Sequence, residues 1–326
     1  MMLMTSVQNL PEALEALKGG ADIVDIKNLQ EALVGSAHPM VAQEVRAVAP
    51  PDRHVSITLG VVPNQAGTVA MAAYAAGSLH ATSVKVGFMN TEYAAAVDTL
   101  VQARRALEGT DTKLIGSLFA DNPLYDGLDA HHTVRMCIES KCDGFLVDTL
   151  TKDGRNLFDF MSEDDLRAMV LEGKEAGIST ALSGHLRIED LDELTRINPD
   201  IVGVRGAVCR KGDRHTAVAW EAVAEFKHQL ELRQSGELSV RPAAASPVTD
   251  GGGWVVIDGR GKTCAGILAA LSVQVREDPG AFVEVIIPDV LNTYDIIVWA
   301  EAGSHKVLTQ RKEDDGAMRM LIQSHA

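Results

Sequence analysis

Two stretches of this sequence place carboxylates and amines at related spacings. Residues 21–30 read ADIVDIKNLQ, so Asp25 and Lys27 lie two apart at the end of an apolar run. Residues 144–152 read GFLVDTLTK, where Asp148 closes another run and Lys152 follows four positions later. Lys85 sits inside a third run, TSVKVGF. Side chains two apart on a strand share a face, so Asp25 and Lys27 point the same way and can pair. A lysine taken out of water loses some preference for its charged form. The neutral amine attacks carbonyls, which is the entry to Schiff-base chemistry. One lysine beside one aspartate reads equally well as an ion pair. Three lysines and two aspartates arriving at one rim read as a site, with one amine held neutral while another binds an anion.

What must bring them together is an alternation that runs from the start of the chain to about residue 232. Short apolar runs at 3–7, 21–27, 54–60, 82–88, 113–121, 144–150, 179–184 and 201–206 alternate with amphipathic helical patterns, several opening on Thr, Ser or Asp and closing on Gly. Strict alternation forces parallel strands with right-handed crossovers, and near-continuous apolar strands mean burial on both faces. Eight units give a (β/α)8 TIM barrel of the α/β class; a doubly wound sheet uses fewer, and no GxGxxG follows the first run. In a barrel the active site lies at the C-terminal ends of the strands. That is where Asp25, Lys27, Asp148, Ser183, Gly184, Arg205 and Gly206 fall. The loops after the seventh and eighth strands form the usual phosphate cradle, and here they read ALSGH and GVRGAVCRKGDR. Small residues such as Ser183, Gly184, Gly203 and Gly206 let backbone N–H groups approach an anion, while Arg205, Arg210 and Lys211 add positive charge.

Composition narrows the class. The chain has 326 residues, 46% apolar and 23% charged, as globular proteins do. A formal charge of −15 repels a phosphate backbone, so no nucleic-acid partner is expected, and an anionic substrate must meet a local basic pocket. No apolar stretch approaches a spanning helix and the N-terminus lacks a signal-peptide pattern, so the expected location is cytoplasmic, with no membrane partner. Cys137, Cys142, Cys209 and Cys264 lack paired metal-ligand spacing, and the first three read as buried or inert thiols.

Residues 233–252 break the rhythm with Pro, Ser, Ala and Gly and read as a linker. Residues 253–326 then read as a small βαβαββ two-layer sandwich.

The stretches ADIVDIKN, SVKVG, LVDTLTKDG, ALSG and DIVGVRGAVCRKGDR resemble the (5-formylfuran-3-yl)methyl phosphate synthase family, in order, over roughly residues 3–230. The resemblance implies a class I aldolase-like lyase that condenses two molecules of glyceraldehyde 3-phosphate, releasing phosphate and water, on the way to methanofuran-type coenzymes. It implies Lys27 as the Schiff-base former, with Asp25, Lys85, Asp148 and Lys152 in acid/base and phosphate-binding roles, and neither cofactor nor metal. The tail's IDGRGKTCAGILAAL resembles small sulfur-carrier proteins of the sulfurtransferase kind, which puts Cys264 in the place of the working cysteine; Ala265 follows where that family has proline. Helix N-terminal N–H groups would favour a Cys264 thiolate. The chain is expected to form a homo-oligomer, with the tail available to dock a protein partner. Two other functions fit the same residues: a non-covalent phosphosugar-binding or isomerase barrel whose lysines only hold phosphate, and a sulfur-delivery module built on Cys264.

Overall fold

The computed structural model describes residues 1–30, 35–61, 65–151, 154–240, 255–277, 279–313 and 316–325. Eight parallel strands close into a barrel in sequence order: β1 (Met2–Val7), β2 (Ile23–Ile26), β3 (His54–Val61), β4 (Ser83–Gly87), β5 (Lys113–Phe119), β6 (Gly144–Asp148), β7 (Ser179–Leu182) and β8 (Ile201–Val204), with β8 pairing back onto β1. Between and after them run α1 (Leu10–Lys18), α2 (Pro39–Val48), α3 (Ala66–Ser78), α4 (Tyr93–Ala106), α5 (Thr133–Glu139), α6 (Glu163–Glu175), α7 (Leu191–Ile197) and α8 (Trp220–Ser235). The fold class expected from the alternation is the one observed.

The strand pattern sorts itself by face. Leu3, Val24, Val55, Val84, Leu114, Val147 and Val202 are completely buried. The alternate positions are largely polar and near the C-terminal end: Ser6, Asp25, Thr58, Lys85, Ser117, Asp148 and Ser183, all at most 9% exposed. Parallel strands paired in register bring these residues to neighbouring heights, with Ser6 opposite Asp25 and Thr58 opposite Lys85.

The closure between β8 and β1 carries its own clasp. α1 begins behind Asn9, whose side chain accepts a hydrogen bond from the Glu12 amide at 3.0 Å. That start places Glu12 in the first turn, where its carboxylate accepts the Gln8 amide at 2.9 Å. Arg205, just past β8, donates to Glu12 Oε2 at 2.9 Å and Oε1 at 3.2 Å, and to the Ser6 carbonyl at 3.0 Å. Its remaining N–H groups go to the carbonyls of Arg214 and Thr216, at 3.0 and 3.3 Å. The guanidinium is thereby used up inside the protein.

The chain divides into two compact units, residues 1–157 with 164–241, and residues 158–163 with 242–326. The expected linker start at 233 is corrected: α8 continues to Ser235, because Arg233 in its last turn pairs with Asp192 at 2.7 Å and Gly236, at φ 77°, ends the helix in the left-handed region. Residues 241–254, most of the expected linker, lie outside the described residues. The second unit holds β9 (Val255–Asp258), α9 (Cys264–Glu277), β10 (Phe282–Ile287), α10 (Asn292–Ala302), β11 (Lys306–Lys312) and β12 (Met318–Gln323) in the expected βαβαββ order. Its sheet runs β11-β12-β10-β9, with β9 and β10 parallel and β12 antiparallel to both its neighbours. Ile267 and Leu271 of α9 and Ile296 of α10 pack with Val283, Val285 and Met320 of the sheet in one core. No helix among the described residues is long and apolar enough to cross a membrane.

Arg205→Ala should therefore act on stability. Removing one partner of a buried, hydrogen-bonded ion pair costs about 3–5 kcal/mol, to be read as a lowered urea midpoint, and the Glu12→Ala chain should lose a similar amount. An Arg205→Ala chain that unfolds at the wild-type midpoint would overturn the clasp.

Candidate active site

The centre of the mouth is Asp25, which is fully buried. Its Oδ1 is in close contact with Lys85 Nζ and its Oδ2 lies 3.5 Å from Lys27 Nζ. Hydroxyls complete the shell: Ser6 donates to Oδ2 at 3.3 Å and Thr58 to Oδ1 at 3.4 Å. Burial works against the charge of Asp25, but the ammonium groups of Lys85 and Lys27 outweigh it and hold the carboxyl below its ordinary value. Asp25 is thus a permanent carboxylate. The pKa of Lys85 is lowered as well: burial pushes it down, opposed by the charge of Asp25 and reinforced by that of Lys27. Its ammonium has one further neighbour, Met4 Sδ at 3.4 Å, a weak acceptor that does little to hold the charge.

Lys27 stands one residue past β2, its amide bonded to the Val7 carbonyl at 3.0 Å, and its side chain is 12% exposed. Two adjoining pockets meet at it. One is lined by Lys27, Asp148, Ser183, Gly203, Gly206 and Arg214 among others; the second by Lys27, Lys85, Thr58, Ser117 and Asp148 among others. Lys27 and Asp148 line both, while Lys85 lines only the deeper one. Asp148 ends β6 and accepts the Thr149 amide at 2.7 Å. Lys152 lies outside the described residues. The backbone leading to it is tied down by a residue the sequence reading passed over. Asp121, buried after β5, accepts the amides of Leu150 at 2.7 Å and Thr151 at 2.6 Å. Its signal was an acid closing the fifth apolar run.

On the phosphate side the expected residues divide. Ser183, Gly203 and Gly206 line the first pocket. A Cβ on Gly203 would come within 2.6 Å of the Met4 methyl and 3.1 Å of Ser183, so a larger residue there would push the Met4 side chain aside. Gly184 is turned to packing: at φ 117° it sits against Thr149, whose Cγ2 a Cβ would meet at 2.9 Å. Arg205 borders the pocket, but with every N–H engaged by Glu12 and backbone carbonyls it has none to give a phosphate. The expected phosphate role is corrected to a structural one. Arg214, the last residue of GVRGAVCRKGDR, also lines the first pocket, and its guanidinium makes no hydrogen bond or ion pair among the described residues. Burial lowers its pKa, opposed by the nearby charge of Asp148. Spacing alone did not separate Arg214 from Arg210 and Lys211, which are exposed.

In the second unit Cys264 opens α9, as the sequence indicates. The thiolate expected there is corrected. Cys264 Sγ donates to Asp295 Oδ2 at 3.1 Å, and burial, that hydrogen bond and the carboxylate's charge push the thiol up to about 11. A neighbouring negative charge on α10 outweighs the amides of the helix start. Cys137, Cys142 and Cys209 are buried free thiols.

Comparison with known proteins places the chain in a family. Residues 3–227 match the model of a family described as 4-HFC-P synthase. The chain is 40% identical over 231 residues to (5-formylfuran-3-yl)methyl phosphate synthase of Methanobrevibacter smithii, covering 70% of this chain and 98% of that protein. It is also 40% identical over 216 residues to the synthase of the same name from Methanopyrus kandleri, covering 65% of this chain and 91% of that one. Among solved structures, KGPDC from Streptococcus mutans has a similar fold, with a TM-score of 0.49 at 14% identity over 71% of this chain and 97% of its own. Over its barrel, the chain belongs to the 4-HFC-P synthase family and is an enzyme of that kind.

Proposed function

We propose that the barrel makes (5-formylfuran-3-yl)methyl phosphate from two molecules of glyceraldehyde 3-phosphate through a Schiff base on Lys27, with loss of one phosphate and two waters, as a lyase supplying methanofuran-type coenzymes. The observation that carries this reading is the unequal setting of two amines on one carboxylate. Lys27 faces both pockets at the mouth, and Lys85 lies behind it in the deeper one. An aldehyde entering from solvent meets Lys27 first.

Two amines share one carboxylate, which can match the charge of one ammonium group. Lys27 Nζ, once neutral, adds to the aldehyde carbon; the carbinolamine loses its hydroxyl as water and leaves the imine. The imine acidifies the adjacent C–H. Loss of that proton gives an enamine carbon able to add to the aldehyde of the second triose phosphate. Asp148, which lines both pockets, is the carboxylate set to move protons between the two. Asp25, always charged, holds the amines in place and stabilises the iminium. Arg214, with Ser183 and the backbone at Gly203 and Gly206, takes a phosphate.

Lys27→Arg should abolish turnover with the fold intact, because arginine keeps the charge beside Asp25 but cannot form an imine. Loss of covalent catalysis should slow kcat by about 10³-fold or more. Borohydride with glyceraldehyde 3-phosphate should trap an adduct on the wild-type peptide containing Lys27 and none on the variant. An adduct mapped to Lys85 or Lys152 would move the nucleophile elsewhere. Separately, Arg214→Ala should raise KM about 10- to 100-fold with kcat little changed, as loss of hydrogen bonds to a charged group shared by ground and transition states does. An unchanged KM would remove Arg214 from the phosphate site.

A further inference from the structure

Beneath the mouth, a small apolar cluster of Met4, Ile23, Leu146 and Ala181 borders a second cavity. A well of about 420 Å³ opens at the opposite, N-terminal face, against about 40 and 20 Å³ for the two pockets of the mouth. Barrel interiors are ordinarily packed with layers of bulky branched side chains. Here the small residues Ser56, Ser83 and Ala181 stand at lining positions, among apolar walls that include Met4, Ile23, Ile115 and Ile201. The rim, with His54 and Lys113, is exposed, whereas Met4, Ser56 and Ala181 at the inner end are buried. A small molecule could therefore enter without opening the barrel.

Three observations distinguish a ligand site from a packing fault. The volume falls in the range of small-molecule pockets, roughly 300–1,000 Å³. The Ser56 hydroxyl, buried at the inner end, has no hydrogen-bond partner among the described residues, and buried polar groups normally have one. Lastly, Met4 and Lys85 line both this well and the deeper catalytic pocket. The floor of the active site is the ceiling of the well. Both lysines that touch the well are already paired, Lys85 with Asp25 and Lys113 with Asp143 at 3.4 Å, so the walls call for no charge on the occupant.

We propose that the N-terminal well binds a small, neutral, largely apolar ring compound carrying one hydrogen-bonding group, and that occupancy acts on turnover by pressing on Met4 and Lys85. An apolar cavity of about 150 Å³ takes up benzene, so this well admits a fused bicyclic ring. The coupling to turnover rests on the synthase reading of the mouth; binding does not.

Indole, neutral and planar with one N–H, is the probe. Titrated calorimetrically into the full chain, it should bind in the millimolar range or tighter. Ala181→Phe, which fills the inner end, should weaken it by about tenfold or more while the chain stays folded by circular dichroism; Ile201→Phe serves as a second filling variant if the first does not fold. In the assay, indole should change kcat at saturating triose phosphate without competing with it. No binding to wild type, binding that both filling variants leave intact, or inhibition that substrate fully relieves would overturn the site. Binding with kcat unchanged would overturn the coupling. A chain that binds indole but makes no furan product would refute the synthase reading and leave the well standing.

Discussion

Everything at the mouth depends on one carboxylate that water cannot reach. Taking Asp25 out of water costs several kcal/mol for the ion alone, and a buried charge persists only with partners that repay that cost. Two ammonium groups and two hydroxyls do so here. The arrangement has a chemical consequence that stability alone would not require. One carboxylate can neutralise one ammonium, so the second amine is held at a site whose charge is already matched. Burial separates the two amines: Lys85 is the more enclosed, while Lys27, 12% exposed, lines both pockets of the mouth.

The barrel is arranged to hold that cluster at one end. Asp25 and Lys85 stand on β2 and β4, bridged by Thr58 on β3, so three neighbouring strands fix the geometry through backbone pairing before any side chain is placed. The loops need separate anchors. Asp121 binds two amides of the chain leaving β6, and Arg205 binds three carbonyls and Glu12 where β8 returns to β1. Both are buried charged groups whose partners are mainly backbone, and each fixes a loop at the C-terminal end of the barrel.

The sequence made the barrel legible because eight apolar runs alternate with eight helical patterns, and periodicity is a property of neighbours along the chain. It made Asp25, Lys27, Lys85 and Asp148 legible because position within a strand determines both height and face. Arg205 and Arg214 were not separable by the same logic. They lie nine residues apart in a loop, and which one is consumed depends on Glu12, almost two hundred residues earlier and brought near only when β8 closes onto β1. Cys264 failed for a related reason. Its place at a helix start was readable, whereas its burial and its hydrogen bond to Asp295 on the following helix, which together raise the thiol, are tertiary features.

The two arginines also bear on how a chain of formal charge −15 would attract the phosphate of the proposed substrate. Arg205 contributes no field at the mouth, since Glu12 cancels it at hydrogen-bond distance. Among the described residues that leaves Lys27, Lys85 and Arg214 against Asp25 and Asp148, an excess of one positive charge where the two pockets meet. Low-dielectric walls strengthen such a local excess over the opposing field of a distant acidic surface, which solvent and salt screen beyond roughly 8–10 Å. An arriving dianion therefore meets the site before it feels the rest of the molecule.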